Sequence, residues 1–396
     1  MPTALLSAVA AAAASISLAL GVRQTFGLFL LPLSTEAGLS PVWLGAAVAL
    51  HNLMWGLGQP VTGALADRFG AGRIMAGGAL VFAAGLAMPA LAPHPLTLLL
   101  GVGVLTGLGV SCTGTGAALA AVGRVAPPGR RGEMIGLASA GGSLGQAALV
   151  PVAQQLIGGI GAVATLGIMA ASMLIVLPVA RTLEWRGPAA TATRPTGLAG
   201  LPALARSALA DRDFALLTAG FFACGFQLAF LTMHLPSHLA LCGLPTGLGA
   251  MALMTIGLFN IPGSWLCGRV STVMAPERAL ALIYLLRTVA IACFVLAPPS
   301  GAGTLVFAAV MGFVWLGSVP LTNAAIARRF GVTDLGALYG VCFLSHQLGG
   351  FLGAGSGALL LQWAGSYAAF WPVMIAVGLA AVGMNAAVRQ PVRAMA

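Results

Sequence analysis

Long stretches of this chain carry no charge at all. From Ile74 to Gly123 there is no Asp, Glu, Lys or Arg, and the same holds from Phe214 to Gly268 and from Leu335 to Val388. A helix rises about 1.5 Å per residue, so about 20 apolar residues cross the hydrocarbon of a bilayer. Each of these stretches is long enough for two crossings. Charged residues make up 7% of the chain and hydrophobic ones 59%, against about 25% charged in a soluble domain, which excludes a water-soluble enzyme. The 55 Gly and 23 Pro run through the apolar segments, which suits packed helices; the alternation of barrel strands is missing.

Hydropathy divides the sequence into twelve expected spans, at 4–31, 42–66, 74–92, 96–122, 134–158, 161–182, 214–240, 246–268, 279–297, 302–327, 335–362 and 367–389. The even count puts both ends on one side. Every basic residue is Arg, and the loops holding Arg68 and Arg73, Arg124 to Arg131, Arg181 to Arg212, Arg269 and Arg278, and Arg328 and Arg329 fall on one face with the Arg389–Arg393 tail. The opposite loops hold none, so the positive-inside rule places both termini in the cytoplasm of a bacterial-type inner membrane. The first span lacks a basic start and a clear cleavage site, and is read as a retained helix rather than a signal peptide. The net charge of +10 is scattered singly rather than gathered on one face, so no nucleic-acid partner is expected. Six dispersed cysteines without a Cys-x-x-Cys pair suggest neither disulfides nor a metal site, and no cofactor is implied.

The polar stretch 183–213 separates the spans six and six, giving an N-terminal bundle (1–182), a cytoplasmic linker and a C-terminal bundle (214–396). A weak internal repeat links Gly63-Ala64-Leu65-Ala66-Asp67-Arg68, after the second span, with Gly263 to Arg269, after the eighth. The expected fold is therefore an all-α integral membrane protein of twelve transmembrane helices in two six-helix pseudo-symmetric bundles. Such parallel halves are the architecture of carriers that rock about a midplane site.

Gly63-Ala64-Leu65-Ala66-Asp67-Arg68-Phe69-Gly70-Ala71-Gly72-Arg73 resembles the signature between helices 2 and 3 of the major facilitator superfamily, a patterned loop that latches the cytoplasmic side. The resemblance implies a gate built from Gly63, Asp67, Arg68, Gly70 and Arg73. Within that superfamily, Arg131-Gly132-Glu133 to Gly145, followed by Pro151 and Gln154, is similar to the helix 5 motif of the monocarboxylate porters. Gly365-Ser366-Tyr367-Ala368-Ala369-Phe370 resembles their motif before helix 12. Gly21-Val22-Arg23-Gln24-Thr25-Phe26-Gly27 lies where those porters carry a basic residue for the substrate carboxylate, with Trp43 at the matching start of helix 2. In helix 8, where family members often have an acid and an Arg four residues on, this chain has Asn260 and Ser264. It also has Thr106 where many proton antiporters have Arg in helix 4, which disfavours drug–proton exchange.

All eight acids, Glu36, Asp67, Glu133, Glu184, Asp211, Asp213, Glu277 and Asp334, fall in expected loops or span ends. Arg23 and Arg287 lie inside spans, where a bare guanidinium costs from about 2.5 to over 10 kcal/mol depending on the scale. Each needs a wet cavity or a partner, and an anionic substrate suits the planar, two-pronged donor of Arg. For Arg287 the alternatives are backbone carbonyls, Asn260 or a contact near Tyr284. Gln24, His51, Asn52, Gln146, Gln227, Asn260, His346 and Gln347 complete the candidate substrate site, each with helix-packing glue as its ordinary alternative. His346 and His234 are the candidate proton carriers in place of the missing helix 8 acid. The reading is a monomeric secondary carrier for a small organic anion, a monocarboxylate, with or without proton symport. The other reading is efflux of amphipathic or neutral compounds.

Overall fold

The computed structural model describes residues 3–127, 130–183, 200–331 and 334–389, all of them helical or in short connections. The first half contains α1 (Thr3–Gln24), a 3-10 turn at Phe26–Phe29, α2 (Leu30–Ala37), α3 (Pro41–Phe69), α4 (Ala71–Leu91) and the short α5 (Pro95–Thr97). A π-helical stretch, Leu98–Leu105, leads into α6 (Thr106–Thr113), followed by α7 (Thr115–Val125), α8 (Arg131–Ile160), α9 (Ala162–Met173) and α10 (Val176–Arg181). Then come α11 (Leu201–Ala210), α12 (Arg212–Leu241), α13 (Gly247–Val273), α14 (Pro276–Leu296), α15 (Gly301–Phe313), α16 (Ser318–Phe330), α17 (Leu335–Ala364) and α18 (Phe370–Ala386).

Among the described residues, ten helical stretches are long and apolar enough to cross a membrane. The helices α3 and α18 occupy the positions expected for the second and twelfth spans. Helix ends follow local chemistry. Ser40 caps α3 through its hydroxyl, with Pro41 in the first turn, where a missing N–H costs nothing. The Asp211 carboxylate accepts from the Asp213 and Phe214 N–H groups at 3.1 and 2.9 Å to start α12. Between α3 and α4 stands Gly70 alone, at φ 94°, a conformation that side chains resist.

Pairing between helices repeats from one half of the sequence to the other. Helix α1 crosses α8 as α12 crosses α17, and α4 lies against α9 as α14 lies against α18. Cross-half contacts follow the same rule, α3 on α17 and α13 on α8. With lipid outside and no hydrophobic drive between helices, close backbone approach supplies the attraction. An added Cβ at Gly145 would run into the Ser17 carbonyl of α1, and one at Gly225 into the His346 carbonyl of α17.

The structure departs from the sequence reading in three places. The signature residues Gly63 to Phe69 do not form a loop; they are the last two turns of α3. The polar stretch 183–213 contains a helix, α11, opened by Pro202 in its first turn. Four expected spans are interrupted, the first at Thr25 and the 3-10 turn that follows, the fourth at the π stretch and Gly114, the sixth at Leu174–Ile175 and the tenth between Phe313 and Ser318. In the tenth, the interruption frees the Val314 and Trp315 carbonyls, and Arg287 takes both.

Candidate functional site

Helix α1 reaches its end just past Arg23, so this guanidinium sits where α1, α3 and α12 converge. Its Nη2 donates to Asn52 Oδ1 at 2.9 Å, and its Cζ lies 5.1 Å from the centroid of the Trp55 ring. Asn52 is held in turn by donating to the Val48 carbonyl at 2.9 Å. A small void of about 10 Å³ beside Arg23 is bounded by Phe26, Asn52 and, from α12, Thr232 and Met233. Arg23 Nε is buried without a hydrogen-bond partner. The described carboxylates all stand at helix ends or beyond them. The ion pairs Arg130–Glu133, Arg212–Asp213, Arg328–Glu277, and Arg329 with Asp211 and Asp213 are equally peripheral.

Around Arg23 runs a row of rings that crosses from α3 to α17. Phe26 meets His51 edge-on at 5.5 Å, His51 faces Trp55 at 6.4 Å, and Trp55 meets Phe343 at 5.3 Å. Phe343 stacks on His346 at 5.8 Å, and His346 lies 4.8 Å from Phe221 of α12. His51 Nδ1 is 2.8 Å from the Thr106 hydroxyl, while its Nε2 is buried and unpartnered. His346 Nδ1 lies 3.2 Å from Gln347 Oε1, which leaves Gln347 Nε2 buried and unpartnered. Gln24 Nε2 and Gln146 Oε1 share that condition. Low-dielectric surroundings make each such atom costly to leave unpaired, so they are groups ready to receive a polar ligand.

The remaining candidates stand elsewhere. Gln227 donates to the Met374 carbonyl at 3.2 Å, tying α12 to α18. His234 has both ring nitrogens engaged, Nδ1 with the Tyr367 hydroxyl at 3.0 Å and Nε2 with the Ala354 carbonyl at 2.8 Å. A carbonyl only accepts, so Nε2 carries the proton and the neutral ring is satisfied. Arg287 is fully buried, and each guanidinium nitrogen has a protein partner: the Val314 carbonyl at 3.0 and 2.6 Å, the Trp315 carbonyl, and Cys224 Sγ at 3.1 Å. Of the settings weighed for it from sequence, this is the one with carbonyls and a Tyr284 ring 5.5 Å away.

Asn260 ties α13 to α8 and to the α15–α16 connection. Its Nδ2 donates to Ser143 Oγ of α8 at 2.7 Å, and its Oδ1 accepts from Ser264 Oγ at 3.0 Å and from the Leu316 N–H at 3.1 Å. Asn260 and Ser264 thus keep the four-residue contact of an acid–Arg pair in a neutral form. Sequence reasoning missed Trp55 and Ser143. Trp55 follows His51 by four residues and Asn52 by three, which places all three on one face of α3, and that spacing was the available signal.

On the arginine-bearing side, Arg68 is exposed with its Cζ 5.1 Å from the Phe69 ring centroid, and Arg73 is exposed and engaged. The Asp67 side chain lies outside the described residues. Helices α3 and α17 touch through Gly45 and Ala358, Ala49 and Gly355, Asn52 and Gly350, and Gly56 and Gln347. Further along, an added Cβ at Gly63 on α3, or at Gly336 or Gly340 on α17, would meet nothing within 4 Å. The two helices are therefore in close contact along α3 from Gly45 to Gly56, on both sides of Asn52, the partner of Arg23.

The sequence profile of the Major Facilitator Superfamily matches residues 4–354. The chain is similar to the uncharacterized MFS-type transporter YcxA of Bacillus subtilis (strain 168), 25% identical over 395 residues that cover 92% of this chain and 90% of that one. It is also similar to the uncharacterized MFS-type transporter YhjX of Escherichia coli (strain K12), 24% identical over 333 residues covering 84% and 82%. The chain belongs to the Major Facilitator Superfamily and is a multi-pass membrane transporter.

Proposed function

We propose that this transporter carries a small monocarboxylate across a bacterial inner membrane by alternating access. The observation that carries the reading is the Arg23 guanidinium, inside the membrane at the meeting of α1, α3 and α12, with Asn52 as its hydrogen-bond partner, the Trp55 ring beside it and its Nε left without a partner. A cation there is costly unless something neutralises it. Asn52 fixes one prong of the guanidinium, and Nε stays unpaired for a carboxylate to accept from. His51 and Gln347 bring further unpaired nitrogens to the same ring-lined region.

In this reading the chain has twelve spans in two six-helix bundles, and the repeated helix pairings support that division. Both termini and the arginine-bearing loops face the cytoplasm. The segment from Gly63 to Arg73, on the arginine-bearing side, is then the cytoplasmic gate. Carboxylate binding neutralises Arg23 and lowers the cost of closing the halves over a dry site, which couples occupancy to motion. A proton carried with the anion would use His346, whose ring borders the site. The carrier works as a monomer.

The test is uptake of labelled small monocarboxylates by proteoliposomes. Arg23→Gln abolishes uptake while leaving the melting profile of the purified protein intact, and Arg23→Lys, a point charge without the fork, retains a minor fraction. Uptake at the native rate by Arg23→Gln would overturn the proposed site.

A further inference from the structure

Past Thr232 and Met233, the α12 neighbours of Arg23, the structure forms a cavity of about 800 Å³ between the end of α12, the second half of α14, the first turns of α15 and the segment 365–371. That volume is of the size that holds a substantial organic ligand, within the roughly 300–1,000 Å³ usual for binding pockets. Its floor is aromatic: Tyr367, Trp371 and Phe307 line it while being only 1%, 2% and 4% exposed. Its mouth is flanked by Val289 of α14 and Val306 of α15, which are 50% and 66% exposed on helices that cross the membrane. The opening is therefore in part lateral, between α14 and α15 toward hydrocarbon, and in part at the membrane surface, where Cys242, Pro298, Pro299 and Ser300 are exposed. At the membrane-surface end the polar lining comes from His238, Ser300 and Ser366, and no Arg, Lys, Asp or Glu contributes.

These features select the occupant. A ligand that enters through Val289 and Val306 arrives from within the bilayer. It is apolar for most of its length, to match the aromatic floor, and meets hydroxyls and an imidazole where the cavity reaches the membrane surface. We propose that the cavity binds an acyl chain of a bilayer phospholipid, inserted sideways between α14 and α15, with the lipid's polar end beside Ser300 and Ser366. The absence of charge in the lining means that headgroup charge does not govern binding. Tyr367 gives the bound chain a route to the transport helices. Its hydroxyl meets His234 of α12, and His234 in turn meets the Ala354 carbonyl of α17. A chain seated on Tyr367 thus bears on the residue that fastens α12 to α17. The inference does not depend on the identity of the transported substrate.

The test uses the full chain in phosphatidylethanolamine vesicles containing a trace of phosphatidylcholine with a photoactivatable diazirine in one acyl chain, followed by irradiation and mapping of adducts by mass spectrometry. Lipids of the surrounding belt reach only exposed side chains, so adducts on the buried Tyr367, Trp371 and Phe307 report an inserted chain. The expected result is labelling of these three residues, their loss in Ala290→Trp, which fills the cavity, and unchanged labelling of the exposed Leu379 on α18 in that variant. Equal labelling with a diazirine phosphatidylglycerol is also expected. Adducts confined to exposed residues in the native protein would overturn the proposal without recourse to any variant. So would floor labelling by a diazirine fatty acid but not by either phospholipid, since the occupant would then be a free amphiphile.

Discussion

Two arginines lie inside the spans, and their surroundings give them different work. Arg287 is spent on the α15–α16 interruption, where it satisfies two freed carbonyls at once. Hydrogen bonds to a charged group are worth about 1.5–3 kcal/mol each, so Arg287→Met should lower stability by at least about 3 kcal/mol. Transport per folded molecule should survive it. A thermal melt and an uptake assay normalised to folded protein check this, and a stable variant that no longer transports would contradict it. Asn260 offers an ordering rather than a single value. Asn260→Ala removes the acceptor of the Leu316 N–H and both hydroxyl contacts, so a cost of about 1–3 kcal/mol is expected. Ser143→Ala removes one of those contacts and should cost clearly less in the same melt; equal costs would sink the assignment. At this scale the sequence was partly legible. The cost of intramembrane charge singled out Arg23 and Arg287, and a shared depth linked Arg23 with His51 and Asn52. Their division of labour was not legible, because it depends on which helix breaks beside each guanidinium.

The elements were legible where length and hydropathy decide and illegible where tertiary contacts do. Apolar runs bounded by Arg located α4, α8, α12, α14 and α17 to within a few residues. The interruption of the tenth span was hidden, because a mid-span break is tolerated only when neighbours re-satisfy its backbone, here Arg287 and Asn260 from other helices. Helix α11 was hidden by Pro202 and by the charges around it, although Pro suits a first turn. The start of α12 carries a pH prediction. Arg329 donates to both oxygens of Asp211 at 2.9 and 2.8 Å, and this pairing, with the two capping N–H groups, holds the Asp211 carboxyl below its ordinary value. A depressed folded value means that the stabilisation is complete above the unfolded-state carboxyl value, about 3.9, and is lost as pH falls through the folded one. Asp211→Asn should therefore lower stability at neutral pH and flatten the acid limb of the melting profile. An acid limb as steep as the native one would contradict this.

Seen whole, the molecule pairs its helices alike in both halves of the sequence and packs α3 on α17 from Gly45 to Gly56. The sequence carried the superfamily signature, while the packing of α3 on α17 rests on small residues spaced along two distant helices, which composition and periodicity do not pair. In the proposed cycle the substrate's charge licenses closure, so binding must stabilise the native protein and must do so through Arg23. The central measurement is the thermal stability of the purified transporter against a panel of small monocarboxylates, dicarboxylates, inorganic anions and neutral amphiphiles, with Arg23→Gln alongside. A ligand at a hundred times its dissociation constant adds about 2.7 kcal/mol to a single-site protein, a shift well within reach of a melt. The account predicts that a monocarboxylate stabilises the native protein and leaves Arg23→Gln unmoved. Stabilisation by neutral amphiphiles alone, equal in the two proteins, would contradict it.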